Sequence, residues 1–308
     1  MTTRVASGTA TGRGDHRPAK QRITLIGAAV NVVLCLAKVV GGVIGQSQAL
    51  VADGVHSLSD LVSDVLVLLA VRWGSSDADQ DHPYGHARIE TAATAVIGAF
   101  LLMVAGGFVV DAVSRLFHPE RLGHPGWLAL VLAAVSIAAN EVLARYTLRV
   151  ARATGSGLIA ANAEHHRSDA LSSVVVVVGV AGVMLGLPWL DAVAAIVVAG
   201  FVGHTGWSFI HPSFNELVDR GLSEEELRPL SAIIDSEPGV RGHHALRTRR
   251  MGGDVIMDVH VVLDRGLSLV EAHRIATGLE QRLLGEIDSL SDALVRVEPD
   301  RTPADRPD

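Results

Sequence analysis

His56-Ser57-Leu58-Ser59-Asp60 and His165-His166-Arg167-Ser168-Asp169 are two copies of one pattern, a histidine four residues before an aspartate, each set in otherwise apolar sequence. On a helix a spacing of four puts both side chains on one face, one turn apart, so each pair can grip one small object. Two such helices offer two imidazoles and two carboxylates. Four nitrogen and oxygen donors suit a tetrahedral borderline cation such as zinc better than calcium or magnesium, whose shells are all oxygen. The setting sharpens the reading. An ionisable group at membrane depth costs about 2.5–3.5 kcal/mol on insertion scales, so such groups face internal cavities and mark ion paths.

Working outward, 49% of the 308 residues are hydrophobic and 19% charged, outside the norm for a soluble globular chain. Several apolar runs reach the roughly 20 residues that cross a bilayer, and they follow one another. Six spans are expected, at about residues 23–45, 48–72, 90–113, 126–148, 157–186 and 189–211. The fold class is therefore a polytopic α-helical membrane protein with six transmembrane helices. Arg72 and Arg88 fall between spans two and three, and Arg145, Arg149 and Arg152 between four and five, on the same face as the basic N-terminal arm. The positive-inside rule then places both termini of this multi-pass cell-membrane protein in the cytosol. Residues 1–20, with Arg4, Arg13, Arg17 and Lys20, read as a disordered tail rather than a signal peptide, as do residues 301–308.

Span two carries a continuous polar stripe of Asp53, His56, Asp60 and Asp64, and span five repeats the idea with Asn162, His165, Asp169 and Ser173. On a surface helix such a stripe would be a solvated face; inside a span there is no water to solvate it. Asp53 and Asp64 are expected on the entry path. Lys38 and Asn140-Glu141 read as internal partners or snorkelling side chains. The loop Asp79-Gln80-Asp81-His82-Pro83-Tyr84-Gly85-His86 holds two histidines four apart with an acid three before them, a second candidate metal site. A polar turn capping span three is the bland alternative. Cys35, the one cysteine, excludes a disulfide framework or thiolate cluster within the chain and reads as a small buried residue. A net charge of −7 without a basic, aromatic-rich cluster gives no case for nucleic acid.

After the membrane region, taken as residues 21–212, residues 213–300 read as a cytosolic α+β domain. Ser223 with Glu226 and Ser268 with Glu271 are capping boxes opening two helices. Residues 245–250, 254–263 and 293–298 read as strands. The order helix-strand-strand-helix-strand makes an open-faced, ferredoxin-like sandwich. His243, His244, His260 and His273 are concentrated in it.

From about residue 22 to 300 the chain resembles the cation diffusion facilitator family. The likeness is carried by Ser47–Asp60, His82-Pro83-Tyr84-Gly85-His86-Ala87-Arg88-Ile89-Glu90, Asn162–Asp169, and Pro238-Gly239-Val240 leading into Leu246-Arg247-Thr248-Arg249. The resemblance implies a homodimer of six-helix protomers in membrane lipid, each with a cytosolic metallochaperone-like domain, exporting divalent metal in exchange for protons. It implies a transport site of His56, Asp60, His165 and Asp169, a loop site of Asp79, His82 and His86, and a cytosolic site of His244, His260 and Glu298 with His273 as a further ligand. It also implies an inter-subunit charge lock of Arg88 and Asp219. Members with two His-Asp pairs are zinc transporters, whereas manganese-selective members replace the histidines with oxygen ligands. The chain departs from the pattern at Arg296, where the family has a histidine; Arg296 cannot ligate metal, and its charge stands beside Glu298 where a second metal would be. No prosthetic group and no enzymatic activity are expected. Iron(II), cobalt, nickel, cadmium and manganese remain alternative substrates. A non-transporting membrane metal sensor or scaffold remains an alternative function.

Overall fold

A computed structural model describes residues 17–74, 79–154 and 157–300. Six long helices come first: α1 (Arg17–Ile44), α2 (Gln48–Gly74), α3 (Arg88–Phe117), α4 (Trp127–Thr154), α5 (Gly157–Met184) and α6 (Leu190–Leu217). Over the described residues, five of them, α1 and α3 to α6, are long and apolar enough to cross a membrane. The sixth, α2, holds the polar stripe. The helices overrun the expected spans at several ends. α1 starts at Arg17, inside the stretch expected as tail, because Pro18 suits a first turn, where its missing N–H is not needed. The rest of that tail, residues 1–16, and the tail 301–308 lie outside the described residues, as does the side chain of Asp64. α6 runs through Pro212 to Leu217, so a boundary at 212 falls inside a helix. Next to the proline, Ser213 donates its hydroxyl to the Phe209 carbonyl at 2.8 Å.

The described residues form two compact units. The first comprises the chain up to Ser63 with Leu101–Thr205. Its core is built from small residues, including Ala49, Ala52, Ala112, Ala129, Ala133, Ala192 and Ala195, with Val176, Val180 and Val198. Small side chains let helices approach closely where lipid supplies no hydrophobic drive. The α1–α2 contact is one such close approach: a Cβ on Gly54 would lie 2.8 Å from the Val39 backbone nitrogen. Three inter-helix turns meet at one end of this unit. Ser47 and the Gln48 N–H both donate to Asp191, at 2.6 and 2.7 Å, and the Gly126 N–H donates to the Gly45 carbonyl at 3.3 Å. We refer to it as the turn end.

The second unit comprises Asp64–Phe100 and the chain from Gly206. It contains α7 (Glu224–Asp235), β1 (Val240–Met251), β2 (Asp254–Leu263), α8 (Leu269–Glu286) and β3 (Leu290–Pro299), the expected order. β1 and β2 pair antiparallel, and β3 joins β2 in parallel after the α8 crossover. Val255, Met257, Val259, Val261 and Leu263 of β2 are buried against Leu230, Ile234, Leu279 and Leu283 of the two helices. The opposite sheet face is open, and β1 begins at Val240, five residues earlier than expected, so His243 and His244 lie in the sheet.

Both capping boxes form. In the first, the Ser223 N–H, its hydroxyl and the Arg250 guanidinium, in that order, pull the Glu226 carboxyl down to about 2. A depressed carboxylate adds stability that is complete above its ordinary value of 4.5 and lost as pH falls through about 2. Glu226→Gln should therefore lower the thermal midpoint at neutral pH, and the gap to wild type should close as detergent-solubilised protein is titrated towards pH 2.

Candidate metal sites

The two histidine–aspartate pairs converge in the first unit. His56 Nδ1 lies 3.7 Å from Asp60 Oδ2, and His165 Nε2 lies 3.9 Å from both Asp60 Oδ2 and Asp169 Oδ2. Ligand atoms of His56, Asp60 and Asp169 are mutually within 4.8 Å, with His165 at the rim. A tetrahedral zinc with bonds of about 2.0–2.2 Å needs ligand atoms roughly 3.3–3.6 Å apart, so small side-chain movements close the set. His56 Nδ1 and Asp169 Oδ1 are buried and lack hydrogen-bond partners among the described residues. Buried polar atoms without partners are rare enough to point to a missing ligand. The site is open on one side: the His165 side chain is 43% exposed, Asp169 only 6%. His166 turns away, buried against Gly27 on α1.

On the turn-end side of this quartet lies a second polar group. The Lys38 ammonium sits 2.8 Å from Asp53 Oδ2, with side chains 1% and 0% exposed. Asp53 also accepts the hydroxyls of Ser172 at 2.6 Å and Ser173 at 2.8 Å. In this conformation Asp53, expected on an entry path, does not face solvent. Both of its oxygens are committed and it is closed to solvent. The expectation that Lys38 is an internal partner holds.

The loop site assembles in the second unit. His82 Nδ1 and His86 Nε2 lie 3.3 and 3.4 Å from the two oxygens of Asp79, the spacing a tetrahedral ion needs. Asp79 is held for this by its own turn: its carboxylate accepts the N–H groups of His82 at 2.6 Å and Asp81 at 3.0 Å. The His82 N–H is the main cause that its pKa lies below the usual aspartate value. A carboxylate that resists protonation stays available to a cation in mild acid.

On the open face of the sheet, His244 and His260 are direct cross-strand neighbours. A bulge between His244 and Arg247, with Ala245 at φ 51°, bends β1 there. Glu298 of β3 faces both, at 3.1 Å from His244 Nε2 and 3.0 Å from His260 Nδ1. Arg296 pairs with His260 in register on the same face. His243 is engaged elsewhere, 2.8 Å from Asp235 of α7. His273, expected as a further ligand, is exposed on α8, in the helix layer behind the sheet, and does not meet this cluster within one chain.

Arg88 and Asp219, expected as a charge lock, form an ion pair within the chain. Sequence reasoning passed over Glu216 near the end of α6. It accepts the Thr91 hydroxyl of α3 and, at 2.6 Å, the Gly252 N–H of the β1–β2 turn. Its signal was faint, a single acid following an apolar run.

Residues 24–218 match the family model described as the cation efflux transmembrane domain, and 222–300 that of the cation efflux protein cytoplasmic domain. The chain belongs to the cation diffusion facilitator family. Metal tolerance protein C1 of Arabidopsis thaliana is 34% identical over 94% of this chain, which spans 66% of that protein's length. Manganese efflux system protein MneP of Bacillus subtilis is 28% identical, covering 92% of this chain and 98% of the relative. Magnetosome protein MamB of Magnetospira sp. is 32% identical, covering 89% and 94%. A solved structure of CzrB, 30% identical, covers 26% of this chain and all of its own, at a TM-score of 0.25. Family membership accounts for the succession of apolar helices followed by an α+β domain, and identifies a multi-pass membrane protein whose relatives move divalent metal cations.

Proposed function

We propose that the chain exports zinc from the cytosol in exchange for protons, by alternating access. The observation that carries the metal assignment is the donor set: two imidazoles and two carboxylates converging at 3.7–3.9 Å in the first unit. Imidazole favours zinc over manganese, which prefers oxygen ligands. The name of MneP makes manganese the principal rival. The ligands support exchange, because an imidazole nitrogen binds either a proton or a metal, and an unperturbed pKa of about 6.5 lets the two compete near neutral pH. Both termini are cytosolic, so the open side of the quartet receives metal from the cytosol. The protein works as a homodimer, a reading supported by the match to the cytoplasmic-domain model over 222–300.

The test is metal flux into proteoliposomes under an imposed pH gradient, with zinc, manganese, ferrous iron and cobalt side by side. Zinc is expected to move fastest. A faster manganese flux would replace the substrate and keep the mechanism, whereas binding of every metal without flux would favour the sensor reading. The cytosolic cluster senses metal in this scheme, shifting a two-state equilibrium through its preference for one state. The His244→Ala/His260→Ala double variant should then transport with a flatter dependence on metal concentration. An unchanged dependence removes that role.

A further inference from the structure

The transport reading leaves unexplained what keeps the quartet from opening to both sides at once. From the structure we infer that Lys38, Asp53, Ser172 and Ser173 form a polar gate that seals the quartet towards the turn end and must part for metal to leave. The inference rests on the transport reading for its purpose and on geometry for its place. Asp53 precedes Asp60 by seven residues on α2, about 10 Å along a helix axis, towards the turn end. Ser172 and Ser173 follow Asp169 on α5 in the same direction. A cation moving from the quartet to the turn end between α2 and α5 meets the two hydroxyl–carboxylate bonds that cross between those helices, at 2.6 and 2.8 Å.

The cluster reaches further. Lys38 brings in α1 and also donates to Ser57 at 3.2 Å, while Ser136 brings in α4 through Ser173 at 3.2 Å. Lys38, Asp53, Ser136, Ser172 and Ser173 are all at most 2% exposed, against 43% for the His165 side chain on the other side. Closed, the pair is internally neutral and does not compete with the quartet for a cation. Parted, its groups can be solvated, and Asp53 presents a carboxylate to the departing metal. Removing the serine donors loosens this closure without stranding a buried charge, which removing Lys38 or Asp53 alone would do.

Cys35 is a built-in reporter. It lies on α1 one turn before Lys38, is 2% exposed and donates its thiol to the Gly54 carbonyl next to Asp53 at 3.4 Å. The experiment uses full-length protein in proteoliposomes of fixed orientation, with a membrane-impermeant maleimide on the turn-end face. Wild-type Cys35 should react slowly at rest and faster during zinc turnover. Ser172→Ala/Ser173→Ala should react about tenfold faster at rest, the shift expected for weakening hydrogen bonds to a charged group. Zinc binding by that variant should stay within about threefold of wild type, since the quartet is intact. Resting labelling equal to wild type in a folded double variant overturns the gate and leaves the serines as packing. Should the double variant not fold, Ser173→Ala alone carries the test, with about a threefold acceleration expected. Resting labelling is read without flux, so a double variant that labels faster at rest in a protein that moves no metal would refute the transport reading alone.

Discussion

Asp169→Ala is expected to lower zinc flux by at least about a hundredfold while leaving the protein folded, since deleting a ligand exceeds the 10–100-fold typical of losing a group behind one. Asp169 is 4% exposed, with one oxygen 3.9 Å from His165 and the other without a hydrogen-bond partner among the described residues. Removing it takes away a quarter of the donor set. Zinc titration should show the same loss in affinity, and the thermal midpoint in detergent should stay near wild type. Flux at the wild-type rate would move the transport site elsewhere in the chain.

Lys38→Met should destabilise the fold by about 3–5 kcal/mol, more than Asp169→Ala or Glu226→Gln, because it leaves a buried carboxylate without its counter-charge. Asp53 would keep the Ser172 and Ser173 hydroxyls but lose the ammonium at 2.8 Å, in surroundings closed to water. The double change Lys38→Met/Asp53→Leu should recover most of the loss, since an apolar pair of similar volume often matches or exceeds a buried ion pair. Unfolding midpoints in a denaturant titration measure both. A single variant as stable as wild type would mean that the pair is not held as the geometry has it.

Much of this was legible in the residues. The His-x-x-x-Asp pairs fixed the quartet because four-residue spacing on a helix is a geometric constraint, and apolar surroundings removed the solvated-face reading. The α+β order was legible from the capping boxes at Ser223 and Ser268 and the alternation through Val255–Leu263, both local signals. What was not legible depended on which helices meet. Asp53 shares the stripe of His56 and Asp60, yet only the close α1–α2 approach at Gly54 shows Lys38 beside it, and only α5 shows its serine partners. His273 looked equivalent to His244 and His260 by composition. The sheet separates it from them, because helices and open-face ligands lie on opposite sides. Helix ends were misjudged where hydropathy faded before hydrogen bonding did, as beyond Pro212.

The central claim is antiport through the quartet, and zinc uptake recorded together with lumenal pH in one proteoliposome preparation tests it most directly. Zinc entry should be accompanied by proton movement in the opposite direction, and both should vanish in Asp169→Ala and when an ionophore collapses the pH gradient. Zinc entry that persists at the same rate without the gradient, or without Asp169, would contradict it.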